Sequence, residues 1–121
     1  MHTTDMLRAA EKLCDIYQDK VDRNLLLSGV ILHDIGKIAE FEINASSGLV
    51  SEYSLIGNAL GHSIIGVMEI EGVSRTLHCG RSRVVLLQNL IASHHGKAEY
   101  TVSTFPICLT PFTCFYAPPY I

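Results

Sequence analysis

The sequence sets an imidazole directly beside a carboxylate at His33-Asp34, within the string Leu32-His33-Asp34-Ile35-Gly36-Lys37. This string closes a nearly continuous apolar run from Leu25 to Leu32. A carboxylate at the end of a buried segment is costly unless a cation meets it, so a metal ion or a paired cation is expected there. Adjacent side chains on a helix point about 100° apart, so His33 and Asp34 share one ion only at a helix end or between helices. Nitrogen and oxygen donors together suit Mn²⁺, Fe²⁺, Zn²⁺, Co²⁺ or Ni²⁺ better than Mg²⁺. One or two such ions, bridged by a carboxylate, can activate water and stabilise charge in phosphoester hydrolysis.

Further imidazoles stand at His2, at His62 after Gly61, and at His94-His95 before Gly96. Two apolar helices thus each deliver a histidine at their C-terminal end beside a glycine. On a helix His62, Ile65 and Glu69 share a face, which makes Glu69 a candidate partner holding the His62 ring. Taken alone, His62 reads more readily as a satisfied core histidine than as a ligand. His78 sits in no motif and reads as a surface residue. Arg75, Arg81 and Arg83 could meet nucleic-acid phosphates, but they read first as a solvated connector.

The elements that must position these residues are mostly helical. Residues 3–18 carry one apolar stripe at Leu7, Ala10, Cys14 and Tyr17 and a second at Met6, Ala9, Leu13 and Ile16. Extended back one turn, the second stripe reaches His2 and turns it toward the core. Asp22 or Asn24 can cap a second helix over 24–35, which has almost no polar face and should be central. Gly36 suits the left-handed position that ends a helix. Residues 40–54 alternate weakly about a turn at Asn44–Gly48 and read as a short hairpin or an irregular loop. A third helix is expected over 57–71, weakened by Gly57, Gly61 and Gly66, with a strand as the alternative. Gly61 and Gly66 there would allow close helix approach. A fourth starts near Ser82 and carries Val84, Leu87, Leu90, Ile91 and His94 along one stripe.

The totals bound the answer. With 121 residues, 48% of them hydrophobic and 17% charged, the chain is one well-buried unit with a single core. A net charge of −3 gives no general attraction to nucleic acid, so polyanion binding would need a local patch or metal ions. Six histidines against nine Lys plus Arg is the unusual ratio. Cys14, Cys79, Cys108 and Cys114 form no CxxC pair and read as free thiols. No signal peptide is visible, and prolines exclude the uncharged C-terminal stretch as a membrane helix. A cytoplasmic location is expected. From Thr101 to Ile121 no charged residue occurs, and this stretch reads as a separate non-helical tail.

The order His2, His33-Asp34-Ile35-Gly36-Lys37, Gly61-His62 and Ser93-His94-His95-Gly96-Lys97-Ala98-Glu99-Tyr100 resembles the HD-domain metal-dependent phosphohydrolases. Within that group the chain is most similar to the HD domain of YhaM-type 3′→5′ exoribonucleases. HD alone is a weak dipeptide, but the histidine-bearing segments in this order, over about residues 1–100, are specific together. The resemblance implies an all-α helical bundle, with a domain over 1–100 and a divergent tail over 101–121. It implies that His2, His33 and Asp34 bind a principal metal, and that Asp34 can bridge to a second ion held by His62 and by His94 or His95. Lys37 would contact the scissile phosphate, and a metal-activated water would attack. The implied partner is a nucleic-acid or nucleotide phosphoester such as a single-stranded RNA or DNA 3′ end.

The chain also departs from the family. The family closes its principal metal site with a later aspartate, and no Asp or Glu follows Glu99 here. Its enzymes carry an OB-type domain ahead of the HD domain, whereas this sequence begins at the first ligand histidine. A fragment whose reading frame changes near residue 101 is therefore expected, with self-association of its apolar surface. Two other readings stand beside a hydrolase: an inactive HD fold that binds metal or nucleotide, and a helical interaction domain with structural histidines.

Overall fold

In the computed structural model the described residues are 2–96, so the expectations for 97–121 lie outside them. The order is α1 (His2–Tyr17), a 3-10 turn (Gln18–Lys20), α2 (Arg23–Leu32), α3 (Lys37–Glu40), β1 (Phe41–Ile43), β2 (Val50–Tyr53), α4 (Leu55–Thr76) and α5 (Arg81–Ser93). The expected all-α class holds, with one small hairpin at the predicted place.

Helix α1 packs on α2, α2 on α5, α5 on α4, and α4 on the short α3. Of the two stripes on α1, the first is buried, at Ala10 and Cys14. On the second, Leu13 is 46% and Ile16 71% exposed, so the inward turn expected for His2 does not occur: His2 is exposed. Among the described residues α1 packs chiefly on α2, along the face that carries Ala10 and Cys14. The core joins Ala10 and Cys14 to Leu25, Ile65, Val84, Leu90 and Ile91. Helix α2 is less central than its composition suggests. It buries Leu25 and Gly29 while Ile31 stays exposed.

Caps fix the helix starts. Asp22 accepts from Leu25 N at 3.0 Å and opens α2. Its other oxygen meets Arg83 at 3.3 Å, which ties α2 to the start of α5. Ser54 accepts from Gly57 N at 2.9 Å and opens α4, while its hydroxyl donates to the Ala39 carbonyl at 2.6 Å. Strands β1 and β2 pair antiparallel, with Phe41 opposite Tyr53 and an irregularity between Glu42 and Ile43.

The glycines separate into two physical roles. Gly36 is not left-handed; its φ is −63°, and it ends no helix by conformation. It is small because a Cβ there would overlap the His62 carbonyl oxygen. Gly66 does allow close approach, since a Cβ would meet Ile91 Cγ2 at 3.2 Å. Gly61 does not: it faces open space, and its φ of 69° with ψ of 159° breaks α4 into two helical halves. Gly96, at φ 64°, is the left-handed stop expected after His94-His95.

Helix α4 runs on to Thr76, beyond the expected end at residue 71. There the arginines clip the α4–α5 connection. Glu71 accepts from Arg75 Nε at 3.0 Å, from Arg81, and from Gln88 Nε2 at 3.0 Å. These donors hold its carboxyl down at about 2, against a usual value of 4.5. Because the folded-state value is depressed, the stabilisation is full above the usual value and is lost as pH falls toward the folded one. Replacing Glu71 by Gln is therefore expected to lower the melting temperature slightly at pH 7. It should also flatten the decline between about pH 4.5 and 2, read by thermal melts across that range.

Candidate metal centre

The turn that follows α2 sets the site. His33 is buried, 7% exposed, and its Nδ1 lies 2.8 Å from the Val30 carbonyl oxygen. A carbonyl only accepts, so Nδ1 carries a proton, and in the neutral ring Nε2 is the atom left with a free lone pair. His94 closes α5 in the same way, with Nδ1 2.6 Å from the Ile91 carbonyl oxygen. His62 opens the second half of α4, and its Nδ1 lies 3.0 Å from Glu40 Oε1. Each ring thus has Nδ1 fastened to its own scaffold.

Their Nε2 atoms converge on Asp34. Nε2 of His33 is 3.3 Å from Asp34 Oδ2, while Nε2 of His62 and of His94 are 3.6 and 3.8 Å from Oδ1. His95 joins from the rim, with Nε2 2.8 Å from His62 Nε2. Lys37, the first residue of α3, places Nζ 2.7 Å from Asp34 Oδ2. Burial raises the Asp34 carboxyl, but the Lys37 hydrogen bond and the charges of His33, Lys37 and His62 outweigh it and hold the group below its usual value. Burial likewise pushes His94 below its usual 6.5, so its ring is neutral at neutral pH.

A cation fits this donor set. With Nδ1 of each ring engaged, the Nε2 atoms and the Asp34 carboxylate oxygens face one another, an arrangement that a metal ion between them, or a proton on a ring, stabilises. His94 Nε2 is buried and has no hydrogen-bond partner among the described residues. His62, His94 and His95 offer ligand atoms that all lie within 4.8 Å of one another. An open cavity of about 400 Å³ lies above the group, with Met6, Leu26, Val30 and Leu90 as apolar walls and Asp34, Lys37 and His95 on its polar side.

The structure brings together His33, Asp34, Lys37, His62, His94 and His95. His2 sits at the cavity rim, exposed, with its ring centroid 5.8 Å from that of His33. Glu69 is exposed and does not hold His62; Glu40 does, from another element. Glu40, expected to open a short hairpin or an irregular loop, instead ends α3 and is 5% exposed. The signal for it was the helix-forming string Lys37-Ile38-Ala39-Glu40, which continues the turn after Gly36. His78 is exposed as expected, and Arg75, Arg81 and Arg83 pair with Glu71 and Asp22. Cys14 is buried and Cys79 exposed, both free, while Cys108 and Cys114 lie outside the described residues.

This chain belongs to the HD-domain family, whose model matches residues 1–111. It is 45% identical over 100 residues to the 3′-5′ exoribonuclease YhaM of Bacillus subtilis (strain 168), covering 82% of this chain and 30% of that one. The same enzyme of Listeria innocua serovar 6a is 43% identical over 100 residues, again at 82% and 30% coverage. The chain thus spans about a third of the length of these relatives. No solved structure matches it. No helix among the described residues is long and apolar enough to cross a membrane.

Proposed function

We propose that this chain is the hydrolytic unit of a metal-dependent phosphodiesterase that trims the 3′ ends of single-stranded RNA or DNA in the cytoplasm. The carrying observation is the convergence of three Nε2 lone pairs, at 3.3 to 3.8 Å, on the carboxylate of Asp34. His33, Asp34, His62, His94 and His95 would hold one or two divalent ions, with His2 added at the rim. Mn²⁺, Fe²⁺, Zn²⁺, Co²⁺ or Ni²⁺ suit this nitrogen-rich set better than Mg²⁺. Such ions, when bound, supply an activated water and charge stabilisation at the phosphate.

The chain's own groups do the rest. Asp34 brings the negative charge that would hold a cation at the cavity floor. Lys37, whose side chain is 44% exposed, stands ready to meet a phosphate oxygen as its charge develops. The apolar walls at Met6, Leu26, Val30 and Leu90 shed water from one side of the cavity and offer a surface for a base or ribose. The similarity to YhaM exoribonucleases supports an RNA end as the substrate.

One observation favours a second reading, in which the site binds metal or nucleotide without turnover. Lys37 already neutralises Oδ2 of Asp34. Incubating the full chain with Mn²⁺ and a 3′-labelled single-stranded oligoribonucleotide separates the two. Stepwise, Mn²⁺-dependent release of the label supports hydrolysis, and bound metal without cleavage supports the binding domain. A chain that takes up none of these metals would sink the hydrolase, and one that binds no nucleotide either would sink both.

A further inference from the structure

The break in α4 leaves one polar group in need of a partner, and its partner comes from elsewhere in the chain. In an unbroken helix the His62 N–H would bond a carbonyl four residues back. Gly61, at φ 69° and ψ 159°, removes that option and makes His62 the start of a new helical half. The His62 N–H donates instead to Glu40 Oε1 at 3.0 Å, and its ring Nδ1 lies 3.0 Å from the same oxygen. A carboxylate at a helix start is favourable in its own right. Two donors of one residue on one acceptor also fix the ring's direction, which a single hydrogen bond would leave free to rotate.

Glu40 is itself held without slack. Its carbonyl accepts from Ser54 N at 3.0 Å, and a Cβ on Gly57 would overlap that same carbonyl oxygen. Its side chain is 7% exposed. The carboxylate therefore stands on a rigid seam between α3 and α4, and His62 hangs from it with Nε2 turned to Asp34 and His95.

We propose that Glu40 is a positioning residue of the metal centre: it keeps the proton of His62 on Nδ1, so that Nε2 faces the cations as a bare donor. This rests on reading the Nε2 cluster as a metal site. A hydrogen-bonded outer partner of this kind is worth about 10–100-fold in metal affinity. Glu40→Gln keeps an oxygen acceptor in the same place and preserves the arrangement, whereas Glu40→Ala removes it.

The test reads two quantities. In the metal-free protein, the ring ¹⁵N shifts of His62 report its tautomer, with His62→Gln assigning the signals. The wild type and Glu40→Gln are expected to show the Nδ1–H form, and Glu40→Ala a mixture or the Nε2–H form. Titration with Mn²⁺ should show wild-type affinity within a few-fold for Glu40→Gln and a loss of about 10–100-fold for Glu40→Ala. A Glu40→Ala protein with unchanged tautomer and affinity overturns the proposal, even if its melting temperature falls, because Glu40 is then only a helix cap. Should Glu40→Ala fail to fold, Glu40→Gln decides: an Nε2–H tautomer, or an affinity loss as large as that of His62→Gln, overturns it. A wild type that binds no Mn²⁺ sinks the functional reading, and the tautomer of the metal-free variants still judges Glu40.

Discussion

Asp34→Asn is expected to abolish the stabilisation that Mn²⁺ gives this chain and to reduce metal affinity by at least about 100-fold, beyond the usual cost of an outer partner. Asparagine keeps the shape and one oxygen but removes the charge on which three imidazole Nε2 atoms converge, at 3.3 to 3.8 Å. Without metal the change should be mild. The Lys37–Asp34 pair is 2.7 Å long but its lysine is 44% exposed, and pairs so open to water contribute about 0.2–1 kcal/mol. The discriminating measurement is the rise in melting temperature with added Mn²⁺. A variant that rises as far as the wild type would show that Asp34 holds no ion.

The same titration carries a pH dependence with a fixed sign. Metal binding needs neutral imidazoles, so affinity falls with pH. At His94 burial favours the neutral form, holding its value below the usual 6.5. The folded state also binds fewer protons at His94 than the unfolded chain does. In the metal-free protein its contribution to stability is therefore intact above 6.5 and declines as pH falls through that value toward the lowered folded one.

Residues whose role is carried by the local string were legible in the sequence. Asp22 capping α2, the stop at Gly96 and the burial of Val84, Leu90 and Ile91 follow from patterns within a few residues. His33-Asp34 and His94 were legible as the ends of apolar segments, while His62 joined them only through the resemblance to the HD-domain family. Residues whose role depends on a distant element were not. Glu40 is 22 positions from His62, and nothing near it marks it as buried. Glu69 has the right helical phase, but it lies about two turns along the same half of α4 and is exposed, out of reach of the His62 ring. His2 lies on a stripe whose Leu13 and Ile16 stay exposed among the described residues, and it reaches the cavity only at the rim.

Gly36 shows the same limit most sharply, and its replacement has the largest expected effect on the fold. Its φ of −63° and ψ of −18° suit any residue. Backbone entropy alone would therefore favour Gly36→Ala by about 0.4–1 kcal/mol. Sterics oppose it. The new Cβ would overlap the His62 carbonyl oxygen and stand 2.8 Å from Gly66 N, and both are main-chain atoms that no rotamer change moves aside. The turn after α2 would have to back away from α4, drawing Asp34 off His62 and straining the bonds from Glu40 to the His62 N–H and ring. Overpacking of this kind costs about 1–3 kcal/mol and more where backbone meets backbone, so a loss of about 3 kcal/mol is expected with metal affinity falling alongside. Gly72→Ala is the control: it lies inside α4 with open space around its Cβ position, and alanine there should stabilise by about 0.5–1 kcal/mol. Urea melts of both variants give the comparison. Were Gly36→Ala to match or exceed the wild type in midpoint, the close seam between α3 and α4 on which the metal centre depends would be refuted.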